Sequence, residues 1–167
     1  MRKFILALLF SCICSAAAPI TLNPGKIASQ GATKIARIFG KDAINVAIIA
    51  HELNIGKSSD EAPKQRLTSC TYSRMPCSLV DLVEIFVNGT ALYIPRSVFS
   101  DLADVSRGDV KKVGKSFILS LHGGDASESY TVNIIFDKQR IRQRNFISDL
   151  DRQITEKTTY SLAPPMD

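Results

Sequence analysis

The sequence predicts an α+β protein, in which an antiparallel sheet of about five strands carries one short helix and follows an N-terminal helical segment. Two observations predict the sheet: an Asn-Gly pair separates two apolar runs, and apolar residues alternate along residues 116–121 and 129–136. Isoleucine and alanine recur at helical spacing across residues 32–53, which predicts the helical segment. The expected organisation is a signal peptide at 1–17, the N-terminal segment at 18–56, a linker with a disulfide loop at 57–78, the α+β domain at 79–160 and a flexible tail at 161–167.

The N-terminus has the three parts of a secretory signal peptide. A basic pair at residues 2–3 precedes an apolar run at residues 4–10, and small residues lead to a cleavage site that we place after Ala17. The apolar run is well below the roughly 20 residues that span a bilayer. Lipidation of Cys12 is the alternative, and the bulky Phe10 disfavours it. The sequence therefore predicts an exported protein, which we place in the periplasm.

Cleavage of the signal changes what the composition implies. The 167-residue chain has a formal net charge of +5, and cleavage removes two of its basic residues. The remaining excess is scattered along the chain, whereas nucleic-acid binding usually requires a clustered basic face. A mature chain of roughly 150 residues is long enough for one domain with a hydrophobic core. We therefore expect a single domain that does not bind nucleic acid.

Cleavage also leaves only two cysteines, Cys70 and Cys77, in one short segment. Two nearby thiols of an exported protein normally form a disulfide. Closing this loop would remove on the order of 2.5 kcal/mol of unfolded-state entropy. A zinc site would need further Cys or His ligands, and a thioredoxin-type site would need two residues between the cysteines. The sequence therefore predicts a disulfide loop, with Arg74 as its basic tip, which could insert into an enzyme cleft or serve only to staple the linker to the first strand.

Residues 32–53 are interpreted as a helix broken at Gly40. The β-branched residues within 43–50 also allow a buried strand, and periodicity leaves the two alternatives open. As a helix with basic residues among its isoleucines, the segment could lie on an anionic membrane or cover one face of the sheet. We favour a helix that covers one face of the sheet, because an apolar sheet face must be buried against another element.

The C-terminal half supplies the predicted sheet. Residues 80–87 and 90–94 form a hairpin, since Asn88-Gly89 supplies the positive φ angles of a type I′ turn. Pro95 begins a short helix over residues 96–104 that packs on the sheet. The remaining strands are expected at residues 116–121, 129–136, 140–147 and 156–160.

Arg140, Arg142 and Arg144 alternate with other residues in one of these strands, which predicts a basic stripe on one face. Arginine presents a planar fork that suits carboxylates and phosphates. The stripe could bind a partner's carboxylates, or the phosphates of lipopolysaccharide or nucleic acid. Cross-strand acids such as Glu128 or Asp149 would account for the same residues equally well.

The loop after residue 121 carries Asp125 and Glu128, which we interpret as an acidic contact surface on a solvated turn. Its acids lack the number and spacing of an EF-hand, so we expect no metal. His122 and Ser127 are near each other without a Gly-x-Ser-x-Gly elbow, and His51 lacks the second histidine of a metalloprotease helix. We therefore expect no catalytic residues and no cofactor, and a hydrolase that uses Ser127 and His122 is the least favoured alternative.

About half of the chain resembles small exported bacterial proteins of the toxin-immunity type. The resemblance implies a non-enzymatic periplasmic protein that neutralises a secreted antibacterial toxin or enzyme. The alternative is a secreted or envelope-associated virulence factor whose residues 32–53 contact membranes. The residues that carry the resemblance are Asn88-Gly89, Ile94-Pro95-Arg96, Gly123-Gly124-Asp125, Glu128-Ser129-Tyr130 and Phe136-Asp137. The candidate binding residues are Arg74, Asp125, Glu128, Arg140, Arg142 and Arg144.

Overall fold

Strands dominate the computed structural model, which describes residues 25–53, 69–71 and 74–161. The predicted signal peptide with Cys12, most of the predicted linker and all but the first residue of the predicted tail lie outside the described residues. The strands are β1 (Gly25–Lys26), β2 (Gly31–Phe39), β3 (Asp42–Leu53), β4 (Cys77–Val87), β5 (Thr90–Ala91), β6 (Arg107–Val113), β7 (Ser116–Gly123), β8 (Tyr130–Phe136), β9 (Ile141–Ser148) and β10 (Ile154–Thr159). They form two antiparallel sheets, a six-stranded sheet in the order β1-β6-β7-β8-β9-β10 and a four-stranded sheet in the order β2-β3-β4-β5.

The expectation of an α+β protein is wrong. The described residues contain no α-helix, and their helical structure is limited to the 3-10 turns Arg96–Val98 and Ala126–Glu128. No helix in this part of the chain is long and apolar enough to cross a membrane. The helix predicted over residues 96–104 is therefore one turn followed by irregular chain. Its apolar side chains are nevertheless buried, namely Val98, Phe99 and Leu102.

The predicted N-terminal helical segment is instead the hairpin of β2 and β3. A two-residue turn connects the strands, and its first residue, Gly40, has a φ of +64°, which glycine adopts without steric cost. Along β3 the side chains of Ile44, Val46 and Ile48 alternate into the core. Alternating β-branched side chains fit a sheet with one buried face. The alternative interpretation of residues 43–50 as a buried strand is therefore correct. Residues 32–53 do not form the helix on which the membrane-binding alternative depends.

The hairpin predicted around Asn88-Gly89 is confirmed. Val87 pairs with Thr90, and Asn88 and Gly89 have φ angles of 53° and 83°. The Asn88 side-chain oxygen also accepts a hydrogen bond of 2.8 Å from the backbone N–H of Ala43. This bond fastens the turn to the start of β3.

One hydrophobic core fills the space between the two sheets. The six-stranded sheet contributes the alternating residues of β7 and β8 that the sequence predicted, and the four-stranded sheet contributes alternating residues of β3 and β4. Phe39 and Phe117 bring the two sheets together, with ring centroids 5.9 Å apart. Burial of each large apolar side chain stabilises the fold by about 1.5–3 kcal/mol.

Strand β6 was not predicted, because its sequence is mainly charged and contains Gly108. A side-chain carbon on Gly108 would lie only 3.0 Å from Leu121 and 3.1 Å from Ile35, so glycine allows β2 to approach the six-stranded sheet closely. Next to it, Asp109 forms an ion pair of 2.8 Å with Arg37 of β2. These contacts join the two sheets where the local sequence shows no strand pattern.

Candidate functional site

The structure distributes the candidate binding residues over three places. Successive antiparallel strands reverse direction, so their connections lie alternately at the two ends of the molecule. We define the disulfide end by the segments 69–71, 74–78, 124–129 and 149–153, and the turn end by the turns at 40–41, 88–89, 114–115 and 137–140. Arg74, Asp125 and Glu128 lie at the disulfide end, Arg140 and Arg142 lie beside the turn end, and Arg144 lies in the interior.

The predicted disulfide is present, and a buried carboxylate holds the chain on both sides of it. Cys70 and Cys77 are bonded and buried, with their Cα atoms 5.6 Å apart. The Asp104 carboxylate accepts hydrogen bonds of 2.9 Å from the backbone N–H groups of Thr71 and Ser78. These residues each follow one of the two cysteines. The two ends of the loop are thus fixed by a covalent bond and by a charge-assisted clamp, which we call the Asp104 clamp.

Arg74 lies on this loop beside an open groove of about 680 Å³. Its backbone N–H donates to the carbonyl oxygen of Thr71 at 3.1 Å. The connection from β1 to β2 also lines this groove, and there Ser29 donates a 2.5 Å hydrogen bond to Glu52. Among the described residues, no ion pair holds the Arg74 guanidinium. The groove is therefore lined by both basic and acidic residues, Lys26 and Arg74 together with Glu52 and Asp104.

Asp125 and Glu128 lie in the connection between β7 and β8, at the same end of the molecule. The Glu128 backbone N–H donates to the carbonyl oxygen of Asp125 at 2.8 Å. Gly124 has a φ of +71°, and a side-chain carbon there would lie 2.1 Å from the Glu128 carbonyl oxygen, so this compact turn requires glycine. Glu128 and Cys70 line one small cavity of about 120 Å³. The structure thus brings the predicted acidic loop next to the disulfide.

Tyr130 connects this cavity to the fold. Its ring stacks on Phe146 with centroids 4.6 Å apart, and its hydroxyl donates a 2.6 Å hydrogen bond to the carbonyl oxygen of Ala103. Burial raises the pKa of Tyr130 well above its ordinary value. The residue therefore stays neutral and anchors the chain that leads to Asp104.

His122 belongs to a hydrogen-bonded chain that does not include Ser127. The Thr131 hydroxyl donates to the Asp149 carboxylate at 2.7 Å, so it accepts a hydrogen bond from His122 Nδ1 at 2.9 Å. Burial, and secondly the positive charge of Arg107, lower the pKa of His122. Within the described part of the chain, no hydrogen bond joins His122 to Ser127, as a hydrolase would require.

Arg144 does not belong to an exposed basic stripe, which corrects the sequence prediction. The pairing of β8 with β9 shifts between Ile135 and Phe136, so Arg142 is an extra residue in a β-bulge. The bulge turns Arg144 onto the same face as the buried Ile134, and its side chain is only 1% exposed. The three arginines therefore do not share one surface.

The partners of Arg144 are also different from the predicted cross-strand acids. Its guanidinium donates to Asp101 at 2.6 Å and to Glu156 at 2.7 Å, and it lies 5.5 Å from the ring centroid of Phe146. Both carboxylates are about half exposed. Arg144 thus ties β9 to β10 and to the chain before Asp104, which is a structural role.

The other two arginines contact the turn between β8 and β9. Arg142 donates to the Asp137 carboxylate through Nε at 2.5 Å, and the Arg140 backbone N–H donates to the same carboxylate at 3.0 Å. Arg142 is about two-fifths exposed. Arg142 therefore neutralises an acid at the turn end, whereas Arg140 contributes a backbone N–H, and both residues lie far from the disulfide end.

Sequence reasoning missed a basic cluster at the turn end. The Asp42 side chain is 3% exposed, and its two carboxylate oxygens accept hydrogen bonds from Lys112 at 2.9 Å and Lys138 at 2.5 Å. The two lysines hold the pKa of Asp42 well below its ordinary value. Lys41 and Lys115 line the same open depression, whose volume is about 570 Å³. The available signal was that three of the four turns at this end carry a lysine, namely those at 40–41, 114–115 and 137–140.

The Asp42 contacts predict a specific pH dependence. A carboxylate whose folded pKa is lowered stabilises the protein above its unfolded pKa of about 4, and this stabilisation is lost as the pH falls toward the folded value. We expect Asp42→Asn to be less stable than the wild type at pH 6, and the difference to shrink between pH 5 and pH 2. Urea unfolding across this range measures it.

A matched variant removes the basic partner of one of these ion pairs instead of the acid. Lys138→Met should also reduce the loss of stability on acidification, because it removes one of the two ammonium groups that lower the pKa of Asp42. A difference between Asp42→Asn and the wild type that stays constant from pH 6 to pH 2 would contradict the assignment.

No protein-family model matches the chain, and searches of curated proteins and of solved structures find no match. In the part of the chain that the structure describes, no group of three or more His, Cys, Asp or Glu residues could hold a metal ion. The function is therefore argued from the geometry of the two ends.

Proposed function

We propose that this chain is an exported, non-enzymatic binding protein that neutralises a secreted antibacterial toxin through its disulfide loop. The observation that carries the proposal is the position of Arg74 on a loop whose two ends are fixed by the Cys70–Cys77 bond and by the Asp104 clamp. A loop that is already ordered loses less entropy on binding than a flexible one. Rigid loops of this kind suit insertion into an enzyme cleft.

The chemistry of the groove supports a partner that presents a carboxylate to Arg74. Arginine is enriched among the residues that dominate binding energy, and its fork binds carboxylates with two parallel hydrogen bonds. Asp125 and Glu128 lie at the same end and would face basic groups around the partner's cleft. Opposite charges on adjacent loops favour one orientation of the partner over others.

The disulfide also supports the proposed location. Disulfides form and persist in oxidising compartments, of which the bacterial periplasm is one. A periplasmic binding protein would meet a toxin after the toxin has crossed the outer membrane. This location agrees with the expected signal peptide.

Protection of cells tests the proposal. The chain is expressed in the periplasm together with the secreted products encoded by the genes on either side of its own, one at a time, and viable cells are counted. We expect one of these products to kill cells and the wild-type chain to restore their survival. Arg74→Glu should weaken the protection at least tenfold, because it reverses the charge at the tip of the loop.

Two further variants separate the role of the loop from folding. Arg96→Glu makes the same charge change at an exposed residue outside the disulfide end and should protect like the wild type. Arg74→Lys keeps the charge without the fork and should protect partially. If none of the products is toxic, if the wild type gives no protection, or if Arg74→Glu protects fully while remaining folded, the proposal is wrong.

A further inference from the structure

The turn end carries a second feature that the proposed function does not use. Four lysines from three turns surround one depression: Lys41 between β2 and β3, Lys112 and Lys115 beside the turn from β6 to β7, and Lys138 between β8 and β9. The three turns are far apart in the sequence, and the packing of the two sheets brings their lysines together. A clustered basic depression is unusual in a chain whose charges are otherwise mixed.

Buried Asp42 organises this cluster without neutralising it. Each of its two carboxylate oxygens binds one ammonium group, from Lys112 and from Lys138. One negative charge therefore holds two positive charges close together. The second acid at the depression, Asp137, is already paired with Arg142. Among the described residues, no ion pair holds Lys41 or Lys115, so a net positive charge faces the depression.

The rim of the depression is open to a ligand. Gly40 and Gly114 have φ angles of +64° and +59°, and a side-chain carbon at either position would meet nothing within 4 Å. Lys41 and Lys115 follow these glycines and project from the tips of the two turns. Both lysines are exposed and line the same depression as Lys112 and Lys138.

We propose that this lysine depression binds a phosphate group. Lysine acts as a compact point charge and is a common phosphate ligand in proteins. The single negative charge of Asp42 balances only part of the positive charge of the four lysines. A phosphate that carries two negative charges would balance the rest. Both a phospholipid headgroup and a free phosphate compound present this chemistry, and the two sources are separated by the probes below.

Two binding measurements test the proposal on the full mature chain. Calorimetry measures binding of sodium pyrophosphate, and flotation measures binding to vesicles of phosphatidylglycerol mixed equally with phosphatidylcholine. We expect binding to at least one probe, weakened by salt because the attraction is electrostatic. Binding to pyrophosphate identifies the phosphate group itself as the ligand, whereas binding to the vesicles alone identifies a headgroup within a membrane.

Matched double variants distinguish the depression from general surface charge. Lys41→Ala combined with Lys115→Ala removes the two lysines that do not bind Asp42, and should weaken binding at least tenfold without unfolding the chain. Lys34→Ala combined with Lys157→Ala removes two exposed strand lysines and should change binding less than twofold. The proposal is overturned if the wild type binds neither pyrophosphate nor the anionic vesicles, or if both double variants lose affinity equally.

Discussion

Replacing Asp104 by alanine is expected to lower the free energy of unfolding by about 3 kcal/mol, because two buried charge-assisted hydrogen bonds are lost. The Asp104 side chain accepts from the backbone N–H groups of Thr71 and Ser78, and the residue is only 2% exposed. Its φ of +54° adds to the loss, since aspartate tolerates this conformation better than alanine. Urea unfolding with the disulfide intact measures the change.

The conservative variant Asp104→Asn separates the hydrogen bonds from the backbone conformation. Asparagine also tolerates a positive φ and keeps one oxygen acceptor, so we expect a loss of stability well below that of Asp104→Ala. If Asp104→Ala unfolds at the same urea concentration as the wild type, the clamp does not hold the two ends of the loop that carries Arg74.

Replacing Arg144 by alanine should have an effect of similar size, about 3 kcal/mol, since removal of one member of a buried ion pair typically costs about 3–5 kcal/mol and the two acids here can reach water. The substitution removes both ion pairs, to Asp101 and Glu156, and leaves a void beside Phe146. Urea unfolding again measures the change. The stability of Arg144→Lys should fall between that of the wild type and that of Arg144→Ala, because lysine keeps the charge but lacks the planar fork that reaches both acids.

Arg142→Ala is the matched control for the buried arginine. Arg142 is a partly exposed arginine of the same strand, and exposed ion pairs contribute about 0–1 kcal/mol. Equal losses from Arg142→Ala and Arg144→Ala would contradict the assignment of Arg144 to the interior. An Arg144 variant that binds a partner more weakly must therefore first be tested for loss of stability. Only then can the weaker binding be attributed to a lost contact between Arg144 and the partner.

The parts of the fold that the sequence predicted are those set by neighbouring residues. Asn88-Gly89 defines its own hairpin turn, and the alternating apolar residues of β7 and β8 define their buried face. The β2–β3 hairpin was mistaken for a helix because isoleucine and alanine recur there at both helical and strand spacing. Its pairing with β4, which decides between helix and strand, involves residues 24 to 43 positions away.

The candidate site shows the same division. The Cys70–Cys77 bond could be predicted because both partners lie in one short segment. The Asp104 clamp could not, since Asp104 lies 33 positions from Thr71. The arginine stripe failed for a different reason: one bulge at Arg142 reverses the face of every residue after it, and regular spacing carries no sign of a bulge.

Amide hydrogen exchange of the chain, alone and with the toxin against which it protects cells, tests most directly whether the disulfide end is the binding surface. We expect exchange to slow on binding at residues 74–78 and 26–30, which border the groove, and to stay unchanged at the turns 114–115 and 137–140. Slowed exchange confined to the turn end or to other surfaces, or no change anywhere, would contradict the proposed role of Arg74 and its loop.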